Sequence, residues 1–490
     1  MISTSSFYRM GLKTVHQISL ILSAKSPKCL NNHTYGPKMS SVQSPSAKPP
    51  HILDFPSEIF AQIFGYLRGE LPRYDHLQRE DAQYFNSGPN EIKNLRLVCR
   101  RFCEESSHLL LPTVTVDICS TSLARLDKIS RHPSISQGVR AVVVVLRVFS
   151  SALAHELDFE FVHHQWLELR NLVRSWRAGV EDSNIPEGED GNLEAVTKCR
   201  RILDSWNRLA ENLTARNLSD DDQRNLQLIK RVYEQYRQAY LEQERILADG
   251  SFVRAVADAV ARFPFAKSLA ITDCKSACTP SSQRPTRSPL IENMLNDDLL
   301  IRNLAQPMAW GLVEDPDRSI SPFKLLSQIP LAIHEAGVIL TDITYNIGSL
   351  NPSSGLVNNP DFRDLRIAMR QLTRFEFSLG TYVTESFGSR VSTYDAIRCI
   401  VNFIEAFIDT DSMQYMRINV GDLFGLLGKE TTRGFRNLLL TRPWPHLSYV
   451  YFQGPIYFEE LQEFYARIPR PAQVELVGVN FTERSLGRRT

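Results

Sequence analysis

The chain has 490 residues, which at roughly 150 residues per domain allows about three domains or one elongated array. Hydrophobic residues make up 43% and charged residues 23%, as in ordinary globular chains, so collagen-like and wholly disordered proteins are excluded. Lys and Arg number 56 against 55 Asp and Glu, and this balance argues against a nucleic-acid-coating protein or a polybasic membrane protein.

Apolar runs and cysteines indicate the compartment. The longest apolar candidates, 18–22 and 141–146, are far shorter than the roughly 18 residues that a membrane span needs. The eight cysteines form no disulfide pattern and fit a reducing environment. We therefore predict a cytoplasmic or nuclear protein with neither membrane nor nucleic acid as a partner.

Residues 1–50 are predicted to form a disordered basic tail. The segment up to Leu53 contains no Asp or Glu, is rich in Ser, and carries six basic residues: Arg9, Lys13, Lys25, Lys28, Lys38 and Lys48. Two alternatives stay open. Residues 1–38 are also typical of a mitochondrial transit peptide, and translation that begins at Met39 would remove them.

The remainder, 113–490, alternates strand and helix patterns. Val114, Val116 and Ile118 alternate as in a half-buried strand, and Ser122 is the predicted cap of a following helix. The run 139–148 is typical of a strand buried on both faces. Strand, helix and strand at this spacing predict a parallel pair with a right-handed crossover.

A helical insertion is predicted at about 150–250. Ser219 precedes three aspartates, which is a favourable start for a helix because negative charge suits its N-terminus. An acidic stretch at 181–191 indicates a loop before it. The helix after Ser219 carries an apolar stripe that could serve a partner, although packing within its own domain is the favoured interpretation. The stripe comprises Leu226, Ile229, Val232, Tyr233, Tyr236 and Tyr240.

Short strands and helices continue to alternate after Phe252. We predict strands at 268–272, 338–343, 373–379, 415–420, 447–452 and 474–477, and helices at 362–372, 394–407 and 458–468. The intervals are unequal, so no strict repeat is present. The pattern predicts a mixed α/β fold, specifically an irregular leucine-rich-repeat-like solenoid with the helical insertion. A doubly wound sheet is the main alternative.

A compact helical block is predicted at 51–112. Pro56 suits a first helical turn, and apolar residues follow at helical spacing in 54–67 and again in 90–111. The first stripe is Ile59, Ile63, Phe64 and Leu67; the second is Leu95, Val98, Cys99 and Phe102, with Arg96, Arg100 and Arg101 on its polar side. Such short helices cannot bury so much apolar surface among themselves, which predicts a hydrophobic partner.

This block resembles the F-box family over about 51–111. The likeness rests on Pro-x-Glu-Ile at 56–59, Ile-Phe-x-x-Leu at 63–67 and Leu-Arg-Leu-Val-Cys-Arg-Arg-Phe at 95–102, and the continuation is similar to many fungal proteins of this class. Two features depart from the family pattern. The polar segment 68–90 is longer than usual, and Leu109–Leu111 with Pro112 replace the aromatic residue that often closes the motif.

The resemblance implies a non-catalytic substrate receptor of a Skp–cullin–F-box ubiquitin ligase, with no cofactor. Its partners would be a Skp-type adaptor, through it a cullin, and an unknown protein substrate marked for degradation. The implied adaptor-binding residues are Phe55, Pro56, Ile59, Ile63, Leu67, Leu95, Val98, Cys99 and Phe102. Two alternatives stay open: an F-box interaction protein that acts outside a ligase, and an unrecognised α/β enzyme.

Other motifs predict no catalytic or metal site. The stretch 421–431 is similar to a phosphate-binding loop, but Leu423 stands where its first Gly belongs and Glu430 where Ser or Thr would coordinate magnesium. The cysteine pairs 99/103 and 274/278 lack the further ligands of a zinc site.

Overall fold

The computed structural model describes residues 55–67, 89–181, 190–211, 218–273, 294–309, 322–348, 362–380, 393–420, 443–468 and 473–480. The helices in these ranges are α1 Ser57–Leu67, α2 Pro89–Arg96, α3 Arg100–Ser106, α4 Ser120–Arg131, α5 Ser151–His155, α6 Phe159–Glu181, α7 Asp190–Glu211, α8 Asp220–Ala248, α9 Ser251–Arg262, α10 Asp297–Leu304, α11 Pro322–Glu335, α12 Arg363–Ala368, α13 Thr393–Ile408 and α14 Phe458–Arg467. Among them, none combines the length and apolar character needed to cross a bilayer.

The strands form one parallel sheet. They are β1 Thr113–Asp117, β2 Ala141–Val145, β3 Ser268–Thr272, β4 Asp342–Ile347, β5 Arg374–Leu379, β6 Tyr415–Asn419, β7 Tyr449–Tyr457 and β8 Gln473–Asn480. Each described strand pairs in parallel with the one before it, and the sheet order follows chain order from β1 to β8. The described strands therefore lack the reversal of order that defines a doubly wound sheet.

One face of the sheet forms the main core. Alternate strand residues such as Val116, Ile271 and Phe375 are fully buried in a single cluster with residues of α4, α9, α11 and α13. Five aromatic rings, those of Tyr345, Phe375, Phe377, Phe403 and Phe407, pack together at its centre. Because side chains alternate along a strand, the remaining strand residues lie on the opposite side, which we call the outer face.

Most predicted elements are present with shifted ends. The strand at 268–272 is confirmed to the residue, and the β1–β2 pair is parallel as predicted. The predicted strand 338–343 begins at Asp342, and 139–148 contributes only Ala141–Val145 to the sheet. Helices α10 and α11 were not predicted. The predicted loop at 181–191 lies largely outside the described residues, and α7 already begins at Asp190.

The predicted cap of α4 is wrong. The helix begins after Cys119, and the Ser122 hydroxyl accepts a hydrogen bond from the Asp117 amide at 2.9 Å. Ser122 is buried and bridges the end of β1 to the helix instead of capping it. The cap of α8 is confirmed, since Ser219 Oγ accepts from the Asp222 amide at 3.1 Å.

Helices α5 to α8 form a second core together with α10. In the predicted stripe of α8, Ile229, Val232 and Tyr236 are buried, and its other three members are half-buried against the same cluster. Packing within the helical region is thus confirmed for this stripe.

Gln165 is a polar defect in that second core. Its side chain is completely buried, and neither its Nε2 nor its Oε1 has a hydrogen-bond partner among the described residues. A buried amide without partners costs about 1–3 kcal/mol. We expect Gln165→Leu to raise the free energy of unfolding by about that amount, measured by urea denaturation.

Gln243 supplies the matched control. It is nearly as buried, but its Oε1 accepts from the Phe149 amide at 3.0 Å and its Nε2 donates to the Arg147 carbonyl at 3.1 Å. Gln243→Leu should therefore destabilise the protein. If both substitutions shift the urea midpoint in the same direction, the missing hydrogen bonds of Gln165 do not destabilise the folded protein.

Candidate partner-binding surfaces

Helices α1 to α3 form a small module with an aromatic centre. Phe60 and Phe64 of α1 stack at 5.5 Å, and Phe102 of α3 meets them edge-on at 5.3 and 5.5 Å. Ile92 and Leu95 of α2 are buried as well. This module therefore has an internal core that does not depend on a partner.

Two polar contacts join the beginning of α1 to α3, although residues 68–88 and helix α2 lie between them in the sequence. Arg101 donates from Nη2 to the Phe55 carbonyl at 2.7 Å, and its guanidinium lies 5.0 Å from the centre of the Phe60 ring. Ser57 donates from Oγ to Glu105 Oε1 at 2.7 Å. Both contacts fix the beginning of α1, where Pro56 stands, against α3.

The predicted adaptor-binding residues divide into three groups. Leu95 and Phe102 are buried within the chain, with 5% and 6% of their surface exposed. Phe55, Ile59, Ile63 and Cys99 are half-buried, whereas Pro56 and Val98 are exposed. The side chain of Leu67 lies outside the described part of the chain.

An exposed apolar pair stands out between α2 and α3. Leu97 is 84% exposed and Val98 is 67% exposed. They occupy a turn in which the Leu97 amide donates to Asn94 and the Val98 amide to Leu95, both at 3.1 Å. Cys99 then caps α3, because its Sγ accepts from the Phe102 amide at 3.4 Å. The pair is therefore presented by an ordered turn.

Sequence reasoning missed Phe60 and Leu97. Phe60 lies four residues before Phe64, so the same helical spacing could have placed the buried stripe there. Leu97 falls outside the second predicted stripe, because that spacing assumes one continuous helix, whereas the helix breaks after Arg96.

The outer face of the sheet is the second candidate surface. Across β4 to β8 it carries one row of Asp342, Arg374, Tyr415, Tyr449 and Gln473, and a second row of Thr344, Glu376, Arg417, Tyr451 and Glu475. Except for Arg374 and Gln473, these side chains are half-buried. Aromatic and arginine side chains of this kind are enriched where proteins bind proteins.

The side chains on the outer face contact one another through ring stacking and arginine–aromatic contacts. The Arg374 guanidinium lies 3.8 Å from the centre of the Tyr415 ring, which stacks on Tyr449 at 4.5 Å. Arg374 Nε also donates to Glu376 Oε1 at 3.0 Å. Arg417 covers the Tyr451 ring at 4.8 Å. Each of these side chains thus contacts a neighbour on the same face of the sheet.

Burial changes the ionisation of this face. It raises the pKa of the Asp342 carboxyl, against the lowering effects of the Thr341 hydroxyl and of Arg374. It also raises the pKa of Tyr415 and of Tyr449, and the carboxylates Glu376 and Glu475, respectively, add to that rise. Both shifts favour the neutral form of the phenol.

Metal and phosphate motifs add no site within the described residues. No group of three or more potential metal-ligating side chains occurs there. Cys99 and Cys103 lie half-buried in the module as free thiols. Cys274, Cys278 and the stretch 421–431 fall outside the described ranges.

Comparisons with known proteins gave no match to any family model, curated protein or solved structure. The candidate function therefore depends on the motif residues and on the geometry of these two surfaces.

Proposed function

We propose that this chain is a non-catalytic substrate receptor that links a protein substrate to a Skp–cullin–F-box ubiquitin ligase. In this proposal, α1 to α3 bind the Skp-type adaptor, and the α/β region holds the substrate. The single observation that carries the proposal is the exposure of Leu97 and Val98 on an ordered turn of a module whose own core is already filled.

The proposed adaptor surface combines the exposed and half-buried members of the predicted set. Val98 and its neighbour Leu97 provide the most exposed apolar area, and Pro56, Ile59 and Ile63 on α1 add to it. Leu95 and Phe102 support this surface from inside the module. Apolar side chains exposed in this way favour association, because burial removes them from water.

The substrate would be held by the outer face of the sheet. We propose that 113–490 form an irregular leucine-rich-repeat-like solenoid, which the chain-order parallel strands support. The receptor then works by position alone: binding at both ends raises the local concentration of substrate lysines at a ligase that this chain does not contain.

The test is the affinity of the full chain for a purified Skp-type adaptor. Replacing Leu97 and Val98 together with Ser should weaken binding by at least about 2 kcal/mol, or roughly 30-fold, since a fully buried aliphatic side chain contributes about 1.5–3 kcal/mol. Isothermal titration calorimetry measures the change.

Two further variants make this result specific. Ile367→Ser alters an apolar side chain that is 49% exposed on α12, outside the module, and should leave the affinity unchanged. Pro56 and Ile59, replaced together by Ala, should weaken adaptor binding while thermal unfolding stays unchanged. A well-folded chain that binds no Skp-type adaptor contradicts the proposal.

An F-box protein that acts outside a ligase has the same adaptor surface. Cullin co-precipitation through the adaptor and ubiquitin-dependent turnover of a bound protein distinguish the two roles. Adaptor binding without cullin recruitment would favour the second role.

A further inference from the structure

We infer that Arg101 is a positioning residue for the adaptor surface: it holds the beginning of α1 against α3, so that Pro56 and Ile59 stay in register with the Leu97–Val98 turn. This inference rests on the proposed function, since the surface concerned is the one that would bind the adaptor.

Arg101 contacts the beginning of α1 at two places. Its Nη2 donates to the carbonyl of Phe55, the residue directly before Pro56, and its guanidinium covers the ring of Phe60. One side chain thus contacts both the entry to α1 and the side of α1 that faces the module core. A planar guanidinium suits this double role, because it can donate in its plane while it stacks through its face.

Such a contact is needed because the two parts of the proposed adaptor surface are far apart in the sequence. Residues 68–88 separate α1 from α2, so the two halves of the surface are not adjacent in sequence. A surface built from two separate segments binds more tightly when its geometry is set before binding, because less conformational freedom is then lost.

The neighbouring arginine, Arg100, makes a different contact from that of Arg101. Its side chain is 93% exposed and pairs through Nε with Glu104 Oε1 at 2.8 Å, which lies on the same helix. The ion pair of Arg100 therefore stays within α3, whereas Arg101 contacts Phe55, just before α1, and Phe60 within α1. The two arginines of the Leu-Arg-Leu-Val-Cys-Arg-Arg-Phe motif are natural test and control positions.

The experiment compares R101Q, R101K and R100Q in the full chain. Amide hydrogen exchange of α1 is measured in the free protein, and adaptor affinity is measured by calorimetry. We expect R101Q to lower protection of the α1 amides and to weaken adaptor binding at least tenfold. R101K, which retains a donor for the Phe55 carbonyl, should recover part of both, and R100Q should change affinity less than twofold.

Two outcomes overturn the inference, and a third overturns the proposed function on which it rests. Affinity that falls while α1 protection is unchanged would mean that Arg101 acts by another route, such as direct contact with the adaptor. Lower protection with unchanged affinity would mean that the position of α1 does not matter for binding. If the wild-type chain binds no adaptor, the proposed function fails, and the exchange comparison alone still decides whether Arg101 fixes α1.

Discussion

Replacing Gly138 with Ala should cost at least about 4 kcal/mol of folding free energy, the range of the most disruptive single substitutions. A Cβ at this position would lie 1.5 Å from the backbone oxygen of His108. Gly138 ends the 3₁₀ turn Ser136–Gly138, which packs on a second 3₁₀ turn at Ser107–Leu109. Because the obstacle is backbone, no side-chain rotation can relieve the clash.

Because of its position, a substitution at Gly138 should also disturb the structure around it. The His108 segment directly follows α3, and the Arg140 and Ala141 amides donate to the Pro112 carbonyl at 2.8 and 3.1 Å where β2 begins. Movement of either turn would disturb the junction between the helical module and the first strand pair. Guanidinium denaturation, followed by circular dichroism, measures the loss.

Gly337 is the control glycine. It has a φ of 84°, but no described atom outside its immediate chain neighbours would lie within 4 Å of a Cβ at this position. Gly337→Ala should therefore cost only the left-handed backbone penalty of about 1–2 kcal/mol. Equal losses at the two positions would show that the close approach of Gly138 to His108 does not constrain the fold.

Phe102→Ala should be the second most damaging change, with a loss of about 3–5 kcal/mol. The ring is 6% exposed and is the contact that α3 makes with both Phe60 and Phe64. Without this ring, α1 and α3 lose the aromatic contact that joins them. Adaptor binding should then be lost because the module unfolds, which amide hydrogen exchange of α1 and α3 detects.

A ring of the same type on the surface provides the comparison. Phe159 is 54% exposed at the beginning of α6, and Phe159→Ala should cost less than about 1 kcal/mol. Retention of exchange protection in α1 and α3 after Phe102→Ala would contradict the central role given to this ring.

Helices and strands were predictable where the local sequence pattern matches the burial of the side chains in the fold. The strand at Ser268–Thr272 alternates buried and half-buried residues, and the helix after Ser219 has both a side-chain cap and an apolar stripe. In contrast, Ser122 has the same capping chemistry but forms its bond with Asp117, because the fold brings the end of β1 over the start of α4. Helix α11 was missed although its sequence is strongly apolar, and it includes Pro330.

The candidate site was predictable as an apolar module but not as a surface. Periodicity identified Leu95, Val98 and Phe102 as equivalent, yet two of them are buried and one is exposed. The difference arises because the chain turns at Leu97 and Val98 instead of continuing as one helix. An apolar stripe specifies that a residue avoids water; which part of the chain or which partner covers it depends on tertiary packing.

The most direct measurement is an exchange footprint of the full chain with and without a purified Skp-type adaptor. We expect the adaptor to slow amide exchange around the Leu97–Val98 turn and at the beginning of α1, while the sheet strands exchange as in the free chain. A footprint confined to the sheet or the helical region, or no change at saturating adaptor, would contradict the assignment of α1 to α3 as the adaptor-binding module.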